Sequence, residues 1–106
     1  MRDGIGIYIL REGQPVPAND ANEWAQWCLT HRAERLVAEE WVGEALVCTS
    51  FLGIDVNLLG AIPILWETVV WGGKYDKYVR RCASRKEAER GHRETVRMLR
   101  RGDVGE

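Results

Sequence analysis

The sequence predicts a single α+β domain over residues 1–106, with an antiparallel sheet of four to five strands and two amphipathic helices packed on one face. Short segments rich in β-branched and aromatic residues follow one another across tight turns, which favours antiparallel pairing. Two other segments repeat apolar residues at helical spacing, each after a capping residue. A chain of 106 residues has room for one hydrophobic core.

The N-terminal half predicts a strand, an irregular return segment and a hairpin. Residues 4–10 are dominated by β-branched and aromatic side chains, which favours a strand. Pro15 and Pro17 remove two ladder donors from the next segment, so we expect an edge strand or a loop there. Residues 34–41 and 44–52 are predicted to pair as a hairpin, because a glycine stands at the turn between them.

Two helices are predicted from their first residues. Asp20 is a favourable N-cap for a helix over residues 21–31. Ser84 is the N-cap of a longer C-terminal helix that is expected to end near Arg101, with Gly102 just after its last turn. Between these helices, the sequence predicts an apolar loop over 53–62, the strongest strand over 63–71 and a weaker strand over 75–83.

Glu67 stands out because it is a carboxylate in an apolar strand. Alternation places it on the same side as Leu65, Val69 and Trp71. If that side faces the core, the carboxylate must be protonated or paired, and His92 is a candidate partner. The alternative is that this side is exposed, or that Glu67 braces the sheet.

Charge is segregated along the chain, although the net charge is only −1. Residues 74–101 contain eleven Lys or Arg and four Asp or Glu, a surplus of seven positive charges. The remaining residues contain four and twelve, a surplus of eight negative charges. Such segregation indicates an anionic partner for the C-terminal third, or contact between copies of the chain.

Much of this positive charge recurs on one side of the predicted C-terminal helix. The residues that form this basic stripe are Lys86, Arg90, Arg93, Arg97 and Arg100. Their spacing of four, three, four and three places them on one helical face. We weigh an anion-binding surface, a solvated face paired with nearby glutamates, and a contact with the acidic part of another copy.

Several functional classes are disfavoured. No apolar run is long enough to span a bilayer and no secretory pattern opens the chain, so we expect a cytoplasmic protein without a membrane partner. The three cysteines are far apart and only two histidines accompany them, so we expect neither a disulfide framework, a metal nor a cofactor. No nucleophile-and-base pattern is present, which predicts a protein that is not an enzyme. The chain lacks helix-turn-helix, RNP and zinc-finger patterns, so nucleic acid is a possible partner without a dedicated motif.

Several short segments along the chain form a distinctive pattern: 4–10, 15–17 (PVP), 20, 24–27, 49–55 (TSFLGID), 63–73 (PILWETVVWGG) and 87–92 (EAERGH). In these segments the sequence resembles a family of small uncharacterised proteins of tailed bacteriophages and prophages. Glu67, Gly72, Gly73 and His92 belong to this pattern, whereas the basic stripe does not. The resemblance implies an accessory protein that acts inside an infected bacterium.

We therefore expect a non-enzymatic binding protein that antagonises a host defence system, by sequestering a nucleotide-like signal or by blocking a host protein. Its ligand-binding residues are expected to be Trp66, Glu67, Trp71, Arg80, Arg81 and His92, with the basic stripe as an anion-binding surface. A homo-oligomer is expected, with the pocket between subunits. The alternative is a structural or assembly homo-oligomer without a small ligand, which would bury tryptophans and the loop 53–62.

Overall fold

Six strands and three helices form over residues 6–55, 60 and 62–105, which the computed structural model describes, the last three by their backbone only. In chain order they are β1 (Tyr8–Arg11), β2 (Gln14–Pro17), α1 (Ala21–Thr30), α2 (Arg32–Arg35), β3 (Leu36–Val42), β4 (Ala45–Phe51), β5 (Trp66–Trp71), β6 (Val79–Cys82) and α3 (Arg85–Gly105). None of these described helices is long and apolar enough to cross a membrane.

The strands form two antiparallel sheets. The larger sheet has four strands in the order β3-β4-β5-β6, and the smaller sheet consists of β1 and β2. A bridge between Ile7 and Ile54, together with a hydrogen bond from the Tyr8 amide to the Gly53 carbonyl (2.7 Å), connects the two sheets. The predicted α+β class is confirmed, while the first strands form a sheet of their own because the prolines limit pairing to one neighbour.

One face of the four-stranded sheet is covered by α3. Along β4 every second residue from Ala45 to Phe51 is buried, as the pleat requires when one face is packed. Val47 and Val70 lie opposite each other on β4 and β5, are 0% exposed, and pack with Val96 and Leu99 of α3. The smallest extent of the molecule, 20 Å, is the thickness of one sheet and one helical layer.

The same side of the sheet also carries α1 at one end. Trp27 of α1 meets Phe51 edge to face at a centroid distance of 5.7 Å, and Phe51 meets Trp66 at 5.1 Å. Ala88 in the first turns of α3 belongs to this cluster as well. The predicted helical face of α1 is thus partly buried, since Trp27 and Cys28 are in the core and His31 is exposed.

Both predicted helix caps are present. The Glu23 amide donates to Asp20 Oδ1 at 2.8 Å, and the Glu87 amide donates to Ser84 Oγ at 3.1 Å. In each case the glutamate carboxylate accepts from the residue before the cap, Asn19 at 2.6 Å or Ala83 at 3.2 Å. Because each cap satisfies otherwise orphaned donors, it fixes where the helix begins.

The expected end of the C-terminal helix was wrong, because α3 continues through Gly102 to Gly105. A Cβ atom at position 102 would lie 3.1 Å from Cε2 of Tyr75, so glycine serves close packing there. Gly91 has a similar role, because a Cβ atom would lie 3.2 Å from Nε of Arg80. Both glycines let side chains from the sheet side cross the helix surface.

Other boundaries shift for local reasons. The weaker strand is confined to β6, because Tyr75–Lys77 form a turn in which Asp76 Oδ1 accepts from the Gly72 amide at 2.6 Å. The short helix α2 occupies the start of the predicted first hairpin strand. In the predicted loop 53–62, residues 56–59 and 61 lie outside the described residues, whereas Asp55 Oδ1 accepts from the Ile64 amide at 3.1 Å.

Replacing Gly53 by alanine is expected to destabilise the fold more than replacing Gly13, although both have φ of +79°. At Gly13 a Cβ meets nothing within 4 Å, so only backbone strain of about 1–2 kcal/mol applies. At Gly53 the Cβ would lie 2.6 Å from the Tyr8 carbonyl oxygen and 2.7 Å from Trp24 Nε1. We expect overpacking to add about 1–3 kcal/mol in urea unfolding. Equal losses for Gly53→Ala and Gly13→Ala would contradict this account of the junction.

Candidate functional site

The six side chains predicted to line a ligand pocket lie in three separate places. Trp66 is 4% exposed and belongs to the core beside Phe51. Alternation along β5 directs Glu67 and Trp71 to the opposite face of the sheet, where Arg81 of β6 also lies. Arg80 is on the α3 side, because it pairs with the buried Thr68, and His92 belongs to α3 itself. The structure therefore does not bring these residues together into one pocket.

Glu67 lies on the face of the sheet that α3 does not cover. Its side chain is 20% exposed, and Oε1 is 3.7 Å from Nε of Arg81, its cross-strand neighbour. His92 is not its partner, because the imidazole lies across the sheet under α3. Of the two alternatives for Glu67, the structure therefore has the one in which the carboxylate is outside the core and lies beside a neighbouring strand's cation.

His92 belongs to a chain of polar contacts between the sheet and α3. The Thr49 and Thr68 hydroxyl oxygens are 2.6 Å apart, and Thr49 Oγ1 is 2.8 Å from Nδ1 of His92. The other ring nitrogen, Nε2, lies 3.4 Å from Oε1 of Glu40, and Glu40 accepts from Arg100 at 3.1 Å. The His92–Glu40 contact lacks hydrogen-bond geometry, so the Thr49 bond is the one that holds the ring. This chain joins α3 to β3, β4 and β5.

The three thiols are not activated nucleophiles. Burial raises the pKa of Cys28 and of Cys82 above the usual range. Burial is also the main cause of the raised pKa of Cys48, with Glu39 and Glu67 adding to it. A thiol with a raised pKa remains protonated at neutral pH and is a poor nucleophile. Within the described part of the chain, no three His, Cys, Asp or Glu side chains are grouped to hold a metal ion.

The basic stripe lies along the outer side of α3. All five members are exposed, whereas Ala88, His92, Thr95, Val96 and Leu99 on the inner side are buried. Since a helix rises about 1.5 Å per residue, the stripe extends about 21 Å from its first to its last residue. The helix thus presents a linear row of cations along its length.

The acidic side chains near the stripe are used elsewhere. Glu94 pairs with Arg80 at 2.7 Å, and this hydrogen bond raises the pKa of Arg80 above its usual value. Glu89 pairs with Arg85 at 3.3 Å, and Glu87 accepts from the Ala83 amide. Among the described residues, only Arg100 of the stripe has a carboxylate within 4.0 Å, that of Glu40. For the other four members, no carboxylate of a described residue lies within that distance.

Two shallow clefts flank the stripe. One, of about 380 Å³, lies between β6 and α3, and Tyr78, Arg80, Arg97 and Arg101 contribute to its walls. The other, of about 260 Å³, lies between β3 and α3. Arg97 lines both clefts and is therefore the central cation of the surface. We refer to the first as the Tyr78 cleft.

The Tyr78 cleft was missed as a site by reasoning from the sequence. The pattern did place Tyr78 and Arg80 on the same side of the strand, which is a usable signal. It gave no indication that this side faces Arg97 and Arg101, because that depends on how α3 lies across the sheet. The stripe itself was predicted correctly as one face of the helix.

Comparison of the chain with protein-family models, curated proteins and solved structures finds no match. The resemblance to phage and prophage proteins therefore stays a prediction.

Replacing Thr49 by valine is expected to lower the free energy of unfolding by about 1–3 kcal/mol, because it leaves the buried Thr68 hydroxyl and His92 Nδ1 without a partner. The matched control is Thr95→Val, since Thr95 is 2% exposed and its hydroxyl bonds only the Gly91 carbonyl in its own helix. We expect the control to lose less than about 1 kcal/mol in chemical denaturation. A loss for Thr49→Val that is no greater than the loss for Thr95→Val would contradict the importance of the Thr49 contact.

Proposed function

We propose that the protein is a non-enzymatic binding protein that captures a phosphate-rich nucleotide ligand on the outer side of α3. The observation that carries this proposal is that Lys86, Arg90, Arg93 and Arg97 are aligned and exposed, with no carboxylate of a described residue within 4.0 Å. Like charges at spacings of three and four destabilise a helix. A bound polyanion would relieve this repulsion, whereas water and salt relieve it only in part.

The length of the stripe favours an oligonucleotide over a mononucleotide. Phosphates along one strand of B-form DNA are separated by about 3.4 Å of axial rise, so about 21 Å corresponds to about six of them. One nucleotide would reach only part of the row. Because the net charge of the chain is −1, attraction is local, and we expect binding to weaken strongly as salt is added.

The Tyr78 cleft supports a ligand that carries bases as well as phosphates. Tyr78 is half-buried, and Arg97 and Arg101 line the same cleft, in which the Glu94 carboxylate is paired with Arg80. Bases stack on aromatic rings and on guanidinium planes in proteins that bind single strands without sequence preference. A flexible strand can place one base in this cleft while its phosphates follow the stripe.

The remaining chemistry favours binding over turnover. Burial raises the pKa of all three thiols, and His92 is engaged with Thr49 beneath α3. Of the described residues that line the Tyr78 cleft, none is a cysteine or a histidine. The resemblance to phage and prophage proteins suggests where this capture would act. In an infected bacterium it would withhold a nucleotide-like signal or a nucleic acid from a host defence system.

We expect the double variant Arg93→Gln and Arg97→Gln to bind a fluorescent oligothymidylate of about eight nucleotides at least about tenfold more weakly than the wild type. Fluorescence anisotropy at several salt concentrations measures this. The plot of log affinity against log salt has a negative slope, and its magnitude should decrease by about 1.4, since each phosphate contact to a single strand contributes about 0.7.

The matched control is Arg11→Gln with Arg32→Gln, which changes the net charge equally but alters β1 and α2. Its affinity should stay within about twofold of the wild type. No binding by the wild type at low salt, or an equal loss in the control, contradicts the proposal. Tighter binding of ADP-ribose or a cyclic nucleotide than of the oligonucleotide would replace the strand with a small signal molecule.

A further inference from the structure

The side of the four-stranded sheet that faces away from α3 is largely apolar and has no described helix on it. Pairing across the strands defines its members. This uncovered face consists of Leu36, Glu39, Trp41, Leu46, Cys48, Ser50, Glu67, Val69, Trp71, Val79 and Arg81. Trp41 is 67% exposed and Trp71 is 53% exposed, while Leu36 and Val79 are each 40% exposed.

We propose that the uncovered face binds the same face of a second copy of this chain, to give a two-fold symmetric dimer with α3 on both outer surfaces. Sheets in proteins pack face to face at about 10 Å, each covering the apolar side of the other. The described part of the chain forms two layers here, the sheet and α3, and places no third layer on the uncovered face. An isologous contact requires the face to be complementary to itself.

The side chains of the uncovered face differ in height in a way that makes the face complementary to itself. Trp41, Leu46 and Trp71 form a tall row at the hairpin end of the sheet. The row four residues away along β4, or about 13 Å, is lower at its centre, where Ser50 lies beside Glu67, and has Leu36 and Arg81 at its two ends. A two-fold axis across the strands lays the tall row of one copy over the low row of the other. This arrangement brings the indole N–H of Trp71 towards the Glu67 carboxylate of the second copy.

The available area suits a weak dimer. If a Trp side chain presents about 250 Å², the exposed fractions of Trp41 and Trp71 correspond to about 300 Å². Leu36 and Val79 raise the apolar area to about 400 Å² per copy, or about 800 Å² in a pair. The central residues and the polar rim bring the total towards the lower limit of about 1,200 Å² for specific interfaces. Association should therefore depend on concentration.

Most charges of the face do not oppose this contact. Glu67 and Arg81 are 3.7 Å apart and neutralise each other within one copy. Glu39 is exposed on the edge strand β3 between Leu36 and Trp41, so the two-fold axis brings it near Glu39 of the second copy, and this repulsion weakens the dimer. The basic stripe is on the other side of the molecule, so two copies do not oppose their arginines.

Sedimentation velocity of the full chain, from low micromolar to hundreds of micromolar, tests the proposal. We expect a monomer–dimer equilibrium whose dissociation constant rises at least about tenfold in Trp71→Lys. The matched control is Leu29→Lys, which adds the same charge at a 62% exposed apolar residue of α1, outside the face. Its dissociation constant should stay within about twofold of the wild type. A monomer at every concentration, or an equal effect of both variants, overturns the dimer.

Cys48 allows the same test in the unaltered chain. It lies within the uncovered face and is partly accessible, whereas Cys28 and Cys82 are buried. The rate of its alkylation, followed by peptide mass spectrometry, should fall severalfold as the protein concentration passes through the dimer range. A rate that does not depend on concentration overturns the proposed contact, even if Trp71→Lys fails to fold.

Dimerisation and oligonucleotide capture are expected to be independent, because the two surfaces lie on opposite sides of the sheet. The variant with Arg93→Gln and Arg97→Gln should dimerise like the wild type. The variant Trp71→Lys should bind one oligonucleotide per subunit as before. Loss of both properties in either variant overturns the assignment of separate surfaces.

Discussion

Val47 and Val70 of the two central strands are 0% exposed and pack with Val96 and Leu99 of α3, and this contact determines which residues lie on each side of the molecule. Burial of apolar surface is the main favourable contribution to folding. Once the helix lies on one side of β4 and β5, the alternate residues of these strands face away from it. The packing of α3 on β4 and β5 thus places the basic stripe on the outer side of the helix and leaves the opposite face of the sheet uncovered.

Polar bonds beneath the helix make the packing specific. Valine and leucine contacts alone tolerate sliding and rotation, whereas hydrogen bonds require defined atoms to meet. Thr49 is bonded to Thr68 within the sheet and to His92 of α3, so the helix has one rotational setting. The contact between Glu40 and Arg100 adds a tie at the surface. The cations of the outer side are therefore held at fixed positions relative to the sheet.

Local features of the fold could be predicted from the sequence, whereas features that depend on tertiary packing could not. The hairpin was predictable because Gly43 supplies the turn, with φ of +59°, and because β4 alternates strictly. The caps at Asp20 and Ser84 were predictable from residue type and spacing. The side of β5 that faces α3 was not, because both sides are apolar and the buried side contains Thr68 while the exposed side ends in Trp71.

The same limit applies to the candidate site. Helical spacing is a local property, so the basic stripe could be predicted as one face. The Tyr78 cleft arises only where β6 meets α3, and tertiary contacts of this kind leave no periodic trace in the sequence. The glycine at 102 was misleading because a residue that commonly ends a helix also permits a ring such as that of Tyr75 to lie against it.

The two interior glycines of α3 have a consequence for when its charged side comes into existence. Each lowers the intrinsic tendency to form a helix by about 1 kcal/mol relative to alanine, and closely spaced arginines lower it further. An excised peptide with this sequence would be mostly unstructured in water. Alignment of the cations is thus an outcome of tertiary folding, and unfolded or newly synthesised chains would carry the same charges without the ordered row.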